Sequence, residues 1–153
     1  MGGSRGVLVD GSAKQVKLKR AKTLKEDKDM KKDSLEAFKR VACGVDNDAY
    51  EIVAKLDPEY FEYLRGIYVD ATWGREGALP RKTKELIMVG ITCAMLHPLG
   101  NRLHTERALI AGATPREVLE AMEVAAIPGG MPGLWLGVET LQKILKARGQ
   151  EFK

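Results

Sequence analysis

The chain has 153 residues, 44 % hydrophobic and 30 % charged, with a formal net charge of +4. This is ordinary for a water-soluble globular protein, and one domain of this length buries roughly 70 % of its unfolded surface. The longest apolar run, Leu86 to Leu96 with Thr92 inside, falls well short of the ~20 residues that a membrane helix needs. The N-terminus has no apolar signal core, and two cysteines, Cys43 and Cys93, make no disulfide framework, so a reducing cytoplasmic setting is expected. Charge is uneven: residues 1–40 hold 12 Lys/Arg against 6 Asp/Glu, while the remainder is slightly acidic. The basic pI therefore belongs to an N-terminal arm and argues little about the body.

Residues 1–32 are rich in Gly, Ser and Lys, with a short hairpin conceivable only around Asp10-Gly11. They predict a basic, extended or partly disordered arm, with residues 33–150 forming a single helical domain. The arm has the charge for phosphate contact, but no interleaved aromatics and several acids, so nucleic-acid binding is not expected. From Asp33 the spacing is helical. Ser34 caps a first helix bearing Leu35, Phe38, Val41 and Ala42, and Asp46 to Leu56 gives a second. Asp57-Pro58-Glu59 opens a third that runs to Trp73 and ends at Gly74.

Pro80 starts a fourth helix, apolar almost all round and so expected at the centre of the fold, running to His97 before Pro98 and Gly100 break it. A fifth covers Asn101 to Ala111, with Gly112 to end it. Thr114-Pro115-Arg116-Glu117 has the residue types of a capping box and launches a sixth that ends near Pro128. After a glycine-proline turn a seventh carries Leu134, Leu136, Val138, Leu141, Ile144 and Leu145. No segment makes a strong strand claim. The predicted class is all-α, a compact unit of about seven helices.

Several separated elements in 79–145 carry a resemblance: Leu79, Lys84-Glu85-Leu86, His104 with Ala108, Gly112-Ala113-Thr114-Pro115 with Glu117, and Gly130-Met131-Pro132. Together they resemble the carboxymuconolactone decarboxylase family, which includes the alkylhydroperoxidase D-like proteins. The redox branch of that family has a Cys-x-x-Cys pair between the glutamate and the histidine; here those positions are His97 and Gly100. A dithiol relay needs one thiolate to attack and another to resolve, so the departure counts against peroxidase chemistry. The resemblance implies a cofactor-free lyase acting on a small carboxylated lactone or related acid, in a symmetric homo-oligomer, commonly a trimer or hexamer. An alkylhydroperoxidase-type antioxidant protein and a non-catalytic binding or assembly protein are the two alternatives.

With only two histidines, proton chemistry near neutral pH has few candidates. His104 is the expected acid/base catalyst: as CO2 departs, electrons flow into a conjugated carbonyl and a positioned acid protonates the resulting carbon. Its plainer reading is a helix histidine satisfied by a hydrogen bond. Glu85 would orient His104 or raise its basicity; otherwise it simply favours a helix N-terminus. In a tight hairpin turning at Leu99-Gly100, Glu85 would lie ~22 Å from the turn and His104 ~7 Å, so the pair either meets through a strongly bent connection or across a subunit interface, or does not cooperate. Arg102 and Arg107 are the favoured holders of a substrate carboxylate. His97 is assigned to the pocket wall and Met131 to the substrate-binding residues. Trp135, Met88 and Met95 read as core or lining. Cys93 and His97 have a spacing usable for metal, but no third ligand is apparent, and neither metal nor cofactor is expected.

Overall fold

The computed structural model describes residues 33–45 and 48–150, together with Lys17 and Lys22. The expected arm and its Asp10-Gly11 turn lie outside the described residues, those two lysines apart. Every described element is helical: α1 (33–41), α2 (Ala49–Leu56), α3 (Pro58–Arg65), a π-helix (Gly66–Trp73) continuing α3, α4 (Arg81–Ala94), α5 (Pro98–Ile110), α6 (Pro115–Gly129) and α7 (Met131–Ala147). No described helix is long and apolar enough to cross a membrane.

Local chemistry sets most boundaries. The Asp57 side chain accepts from Tyr60 N, and Pro58 occupies the first turn of α3, where its missing N–H costs nothing. The Thr114–Glu117 capping box forms in full at α6. Gly112, at φ 87°, turns the chain out of α5.

Three boundaries depart from the sequence reading. Helix α4 stops at Ala94, where Leu96 takes a left-handed φ of 52°, and α5 starts three residues before its predicted Asn101, at Pro98. Pro98 opens α5 as its first residue instead of breaking α4. The expected glycine-proline turn shrinks to Gly130 at φ 79°, with Pro128 inside α6 and Pro132 in the first turn of α7.

Helix α4 does lie at the centre, packing on α5, α6 and α7. Val89 and Cys93 meet Ala108, Val118, Met122, Leu141 and Leu145 in an aliphatic core. Each large side chain buried there contributes about 1.5–3 kcal/mol. Backbone approach between α4 and α7 is close enough that a Cβ on Gly133 would overlap the Cys93 carbonyl oxygen, and one on Gly137 would lie 2.6 Å from Cys93 Sγ. The glycines thus bring helix to helix. Trp135, read as core or lining, is exposed on α7.

A second cluster, built from Phe38, Ala42 and Phe61 with Tyr50, Val53 and Tyr68 around them, joins α1, α2, α3 and the π-helix. Its packing is aromatic. Phe38 lies 4.0 Å from Tyr50 and 4.8 Å from Tyr68, centroid to centroid.

Candidate active site

The early end of α4 brings Glu85 and His104 together within one chain. Glu85 precedes Ala94 by nine residues and His104 follows Pro98 by six, or ~14 Å and ~9 Å of helix on the two arms. The remaining offset is within reach of a glutamate and an imidazole. Glu85 Oε2 lies 2.7 Å from His104 Nδ1, and both residues are buried. The pair thus meets within one chain, through the turn at residues 95–97 with its left-handed Leu96, and needs no second subunit; counting those residues as helix exaggerated the mismatch.

Arg81, one turn before Glu85, holds the other carboxylate oxygen, with its terminal nitrogen 2.6 Å from Oε1. The same guanidinium donates to the Val41 carbonyl and lies 4.8 Å above the Trp73 ring. Trp73 in turn stacks on the His104 imidazole at 5.7 Å with planes 26° apart. Arg81, Glu85, His104 and Trp73 thus form a closed ring of contacts. In the tautomer with its hydrogen on Nδ1, the imidazole donates to Glu85 Oε2 and Nε2 is left as the second ring nitrogen, able to accept a proton or, once it carries one, to give it.

The π-helix supplies the lid of this arrangement. Its i→i+5 bonding, ending with Gly74 N on Val69 O at 2.7 Å, sets residues five apart nearly one above the other. Tyr68 and Trp73 therefore lie on one face, rings 5.8 Å apart, both turned to α5. In an ordinary α-helix the two would diverge.

His104 lines a cavity of about 380 Å³ with Tyr50, Tyr68, Met88, Ile91, Thr92, Met95, His97, Leu99, Gly100, Leu103 and Arg107. That volume falls in the range of small-ligand sites, ~300–1,000 Å³. His97 is in the wall as expected and also caps α5, its Nδ1 accepting from Gly100 N at 2.8 Å. Arg107 is in the wall too, only 2 % exposed; its Nε donates to the Ala42 and Val45 carbonyls and its terminal nitrogens to Val45 O and the Tyr68 hydroxyl. Burial pushes the Tyr68 phenol up, with Arg107 opposing, so the hydroxyl keeps its proton at neutral pH.

The structure separates the remaining expected site residues from this cavity. Arg102 is turned to the outside of α5, paired with Glu106 at 3.1 Å. Met131, at the α6–α7 junction, is half-exposed and does not line the cavity. Arg102 and Arg107 are five apart on one helix, and that angular difference sends one out and the other in. Trp73 and Tyr68 had no assigned site role from sequence, and Arg81 none as a partner of Glu85. For Arg81 the signal was present, four residues before Glu85 on a helix; for Trp73 and Tyr68 it depends on the π-helix.

Cys93 is buried in the aliphatic core, its Sγ accepting from Asn101 Nδ2 at 3.0 Å. Burial pushes its thiol up to about 11 although the Asn101 hydrogen bond opposes it, so thiolate is scarce at neutral pH. Among the described residues no group of three or more His, Cys, Asp and Glu side chains is placed to hold a metal ion.

Residues 58–143 match the model of the carboxymuconolactone decarboxylase family. An uncharacterised 15.0 kDa protein of Paracoccus denitrificans is 30 % identical over 100 residues, 63 % of this chain and 73 % of that protein. An uncharacterised protein of Methanocaldococcus jannaschii is 24 % identical over 97 residues, 63 % of this chain and 89 % of its own length. Among solved structures, a provisionally assigned carboxymuconolactone decarboxylase from Burkholderia xenovorans LB400 superposes with a TM-score of 0.63 at 25 % identity, covering 78 % of this chain and 96 % of that one. The match of the family model spans the helices that carry Glu85, His104 and all of the cavity wall but Tyr50, and on it the chain belongs to the carboxymuconolactone decarboxylase family.

Proposed function

We propose that this protein is a cofactor-free carboxy-lyase acting on a small carboxylated lactone or related acid, with His104 as the acid/base catalyst. The observation that carries the reading is the 2.7 Å contact of His104 Nδ1 with a buried, arginine-paired Glu85, in an imidazole that lines a cavity. As the C–CO2 bond breaks, its electron pair moves into the conjugated carbonyl. Nε2–H of protonated His104 then delivers a proton to carbon, Glu85 stabilises the imidazolium beforehand, and solvent returns the proton afterwards. Arg107, already in the wall, is the cation for the substrate carboxylate.

The test is CO2 release from a panel of carboxylated γ-lactones. His104→Gln is expected to lose about 10²-fold or more of kcat/KM, and Glu85→Gln a similar factor. Undiminished release by His104→Gln would remove the reading. A thiol peroxidase is disfavoured, since Cys93 is buried and protonated and positions 97 and 100 carry no thiol.

The working unit is proposed to be a symmetric homo-oligomer, a trimer or hexamer, in the cytoplasm. Supporting this, an apolar groove of about 790 Å³ runs between α4 and α6, with Ile87, Ile91, Val124 and Ile127 exposed along it. Ile91 borders both the groove and the His104 cavity, so a copy seated there also borders the site. Light scattering should give a multiple of the chain mass that falls in Ile127→Glu; a monomeric wild type would exclude assembly.

A further inference from the structure

A second cavity, of about 390 Å³, lies where the chain passes from the π-helix into α4. It shares no lining residue with the His104 cavity, yet two of its side chains reach the same pair: Arg81 holds Glu85, and Trp73 stacks on His104. Its charged lining is Arg75, Arg81, Lys84 and Glu76, three cations and one carboxylate. The proposed lyase chemistry makes no use of it.

Two of the cations are held in place by the fold itself. Lys84 Nζ donates to the carbonyls of Thr72 at 2.7 Å and Arg75 at 3.3 Å, which leaves one of its three N–H groups. Arg81 is fixed by Glu85, by the Val41 carbonyl and by the Trp73 ring. Those bonds use Nε and Nη2, and Nη1 with its two hydrogens has no partner among the described residues. Arg81 and Lys84 are three apart on α4, neighbours on one face. Long surface cations lose side-chain entropy when they bind a ligand; here folding has already restricted both. Arg75 is exposed on the connecting loop.

We propose that this cavity is a phosphate site, taking free phosphate or a small phosphate monoester on Lys84, Arg75 and Arg81 Nη1, and that its occupant acts on the Glu85–His104 pair through Arg81. The donors suit a tetrahedral oxyanion, whose oxygens accept from three side chains at once, where a carboxylate offers only two oxygens. The volume leaves room for a small ester group, with Leu79 as an apolar wall. Phosphate on Nη1 adds negative charge behind Arg81 and draws on the guanidinium that Glu85 shares. Both effects favour the protonated imidazole, so the titration midpoint of His104 rises. The other titratable and charged groups about His104 are Glu85 on α4, Tyr68 on the π-helix, Arg107 on α5, and Tyr50 and His97 in the cavity wall; none of them lines the phosphate site.

¹H–¹⁵N spectra of the full chain test this without turnover. The protein has two tryptophans and two histidines, so each effect has a reporter and a control. Trp73 lines the phosphate site while Trp135 is exposed on α7; His104 is joined to Arg81 through Glu85, while His97 lines only the other cavity. The probes are inorganic phosphate, methyl phosphate and acetate, with chloride holding ionic strength constant. Phosphate and methyl phosphate should move the Trp73 indole saturably, with a Kd of ~1 mM or less, and leave Trp135 in place. Acetate should bind at least about tenfold more weakly. Saturating phosphate should raise the proton affinity of His104 about twofold or more and leave His97 unchanged. Lys84→Gln should weaken phosphate about tenfold, and Arg75→Gln, at an exposed position whose loss does not threaten the fold, about threefold.

Tighter binding of methyl phosphate than of phosphate would assign the site to monoesters, and the reverse to the free ion; either supports it. No saturable movement of Trp73, acetate binding as tightly as phosphate, or both variants without effect would overturn the site. Movement of His97 along with His104 would place the phosphate in the His104 cavity and overturn it too. A Trp73 response with an unmoved His104 midpoint would overturn the action through Arg81. The lyase reading stands or falls separately, on CO2 release.

Discussion

The two halves of this subunit are built by different means. The α4–α7 half is an aliphatic unit in which helices touch backbone to backbone, as at Gly133 against Cys93 and Gly129 against Ala94. The half made by α1, α2, α3 and the π-helix is an aromatic cluster around Phe38, with open space at glycines such as Gly66. Polar side chains tie the halves together: Arg81 reaches Val41 O, and Arg107 reaches Ala42 O, Val45 O and Tyr68. Those same arginines flank Glu85 and the cavity. The difference teaches that the site sits on a seam, where the groups that would bind a ligand also hold the two halves together.

The largest effect should come from cutting the seam. Arg107→Met removes charge-assisted hydrogen bonds to two backbone carbonyls and Tyr68, which should cost about 3 kcal/mol. Hydrogen exchange should then accelerate in 33–73 more than in 81–147; a uniform increase would show that the halves are one cooperative unit.

A glycine comparison sharpens the contrast in packing. Gly133→Ala places a methyl on the Cys93 carbonyl and should cost about 2–3 kcal/mol in a urea melt. Gly66→Ala meets nothing within 4 Å in a helical backbone, and should be neutral or stabilising by up to ~1 kcal/mol. Similar losses from both substitutions would erase the distinction.

The smallest effects belong to the surface of the aliphatic half. Thr114→Ala opens the α6 capping box and should cost about 1 kcal/mol. The Lys82 ammonium first, and then the Thr114 backbone N–H, pull Glu117 from 4.5 down to about 2. A carboxyl lowered on folding stabilises above its unfolded value and loses that contribution as pH falls through the folded one. The stability gap between wild type and Glu117→Gln should hold above pH ~5 and close between pH ~4.5 and ~2. A gap independent of pH would show that the carboxylate charge is not what matters there.

Much of the fold was legible in the sequence, because caps and prolines act locally. Asp57-Pro58 and the Thr114–Glu117 box are read from four consecutive residues and appear where expected. The α4–α5 junction was not. Met95 and Leu96 continue the apolar pattern of α4, so nothing local announces the left-handed turn at Leu96, and Pro98 reads equally as a stop or a start. That one ambiguity produced the false separation of Glu85 from His104. The aromatic lid was hidden for a different reason: a π-helix has no composition signature, and only its register brings Tyr68 and Trp73 to one face. Arg102 and Arg107 were likewise equivalent as letters and differ only in which side of α5 is covered.

The His97 cap bears on how such a chain could change its chemistry over time. Its imidazole occupies the space where a side chain at position 100 would begin: a Cβ there would lie 2.6 Å from His97 Nδ1 and 2.9 Å from Thr92 Cγ2. Gly100→Cys is thus obstructed while His97 is present, and His97→Cys alone gives up the cap and supplies one thiol of two. The route between this cavity and a dithiol one is an epistatic step, in which each substitution is penalised on the background of the other's ancestral residue. Lineages that have crossed it are expected to carry the two changes together, with Thr92 shifted or replaced.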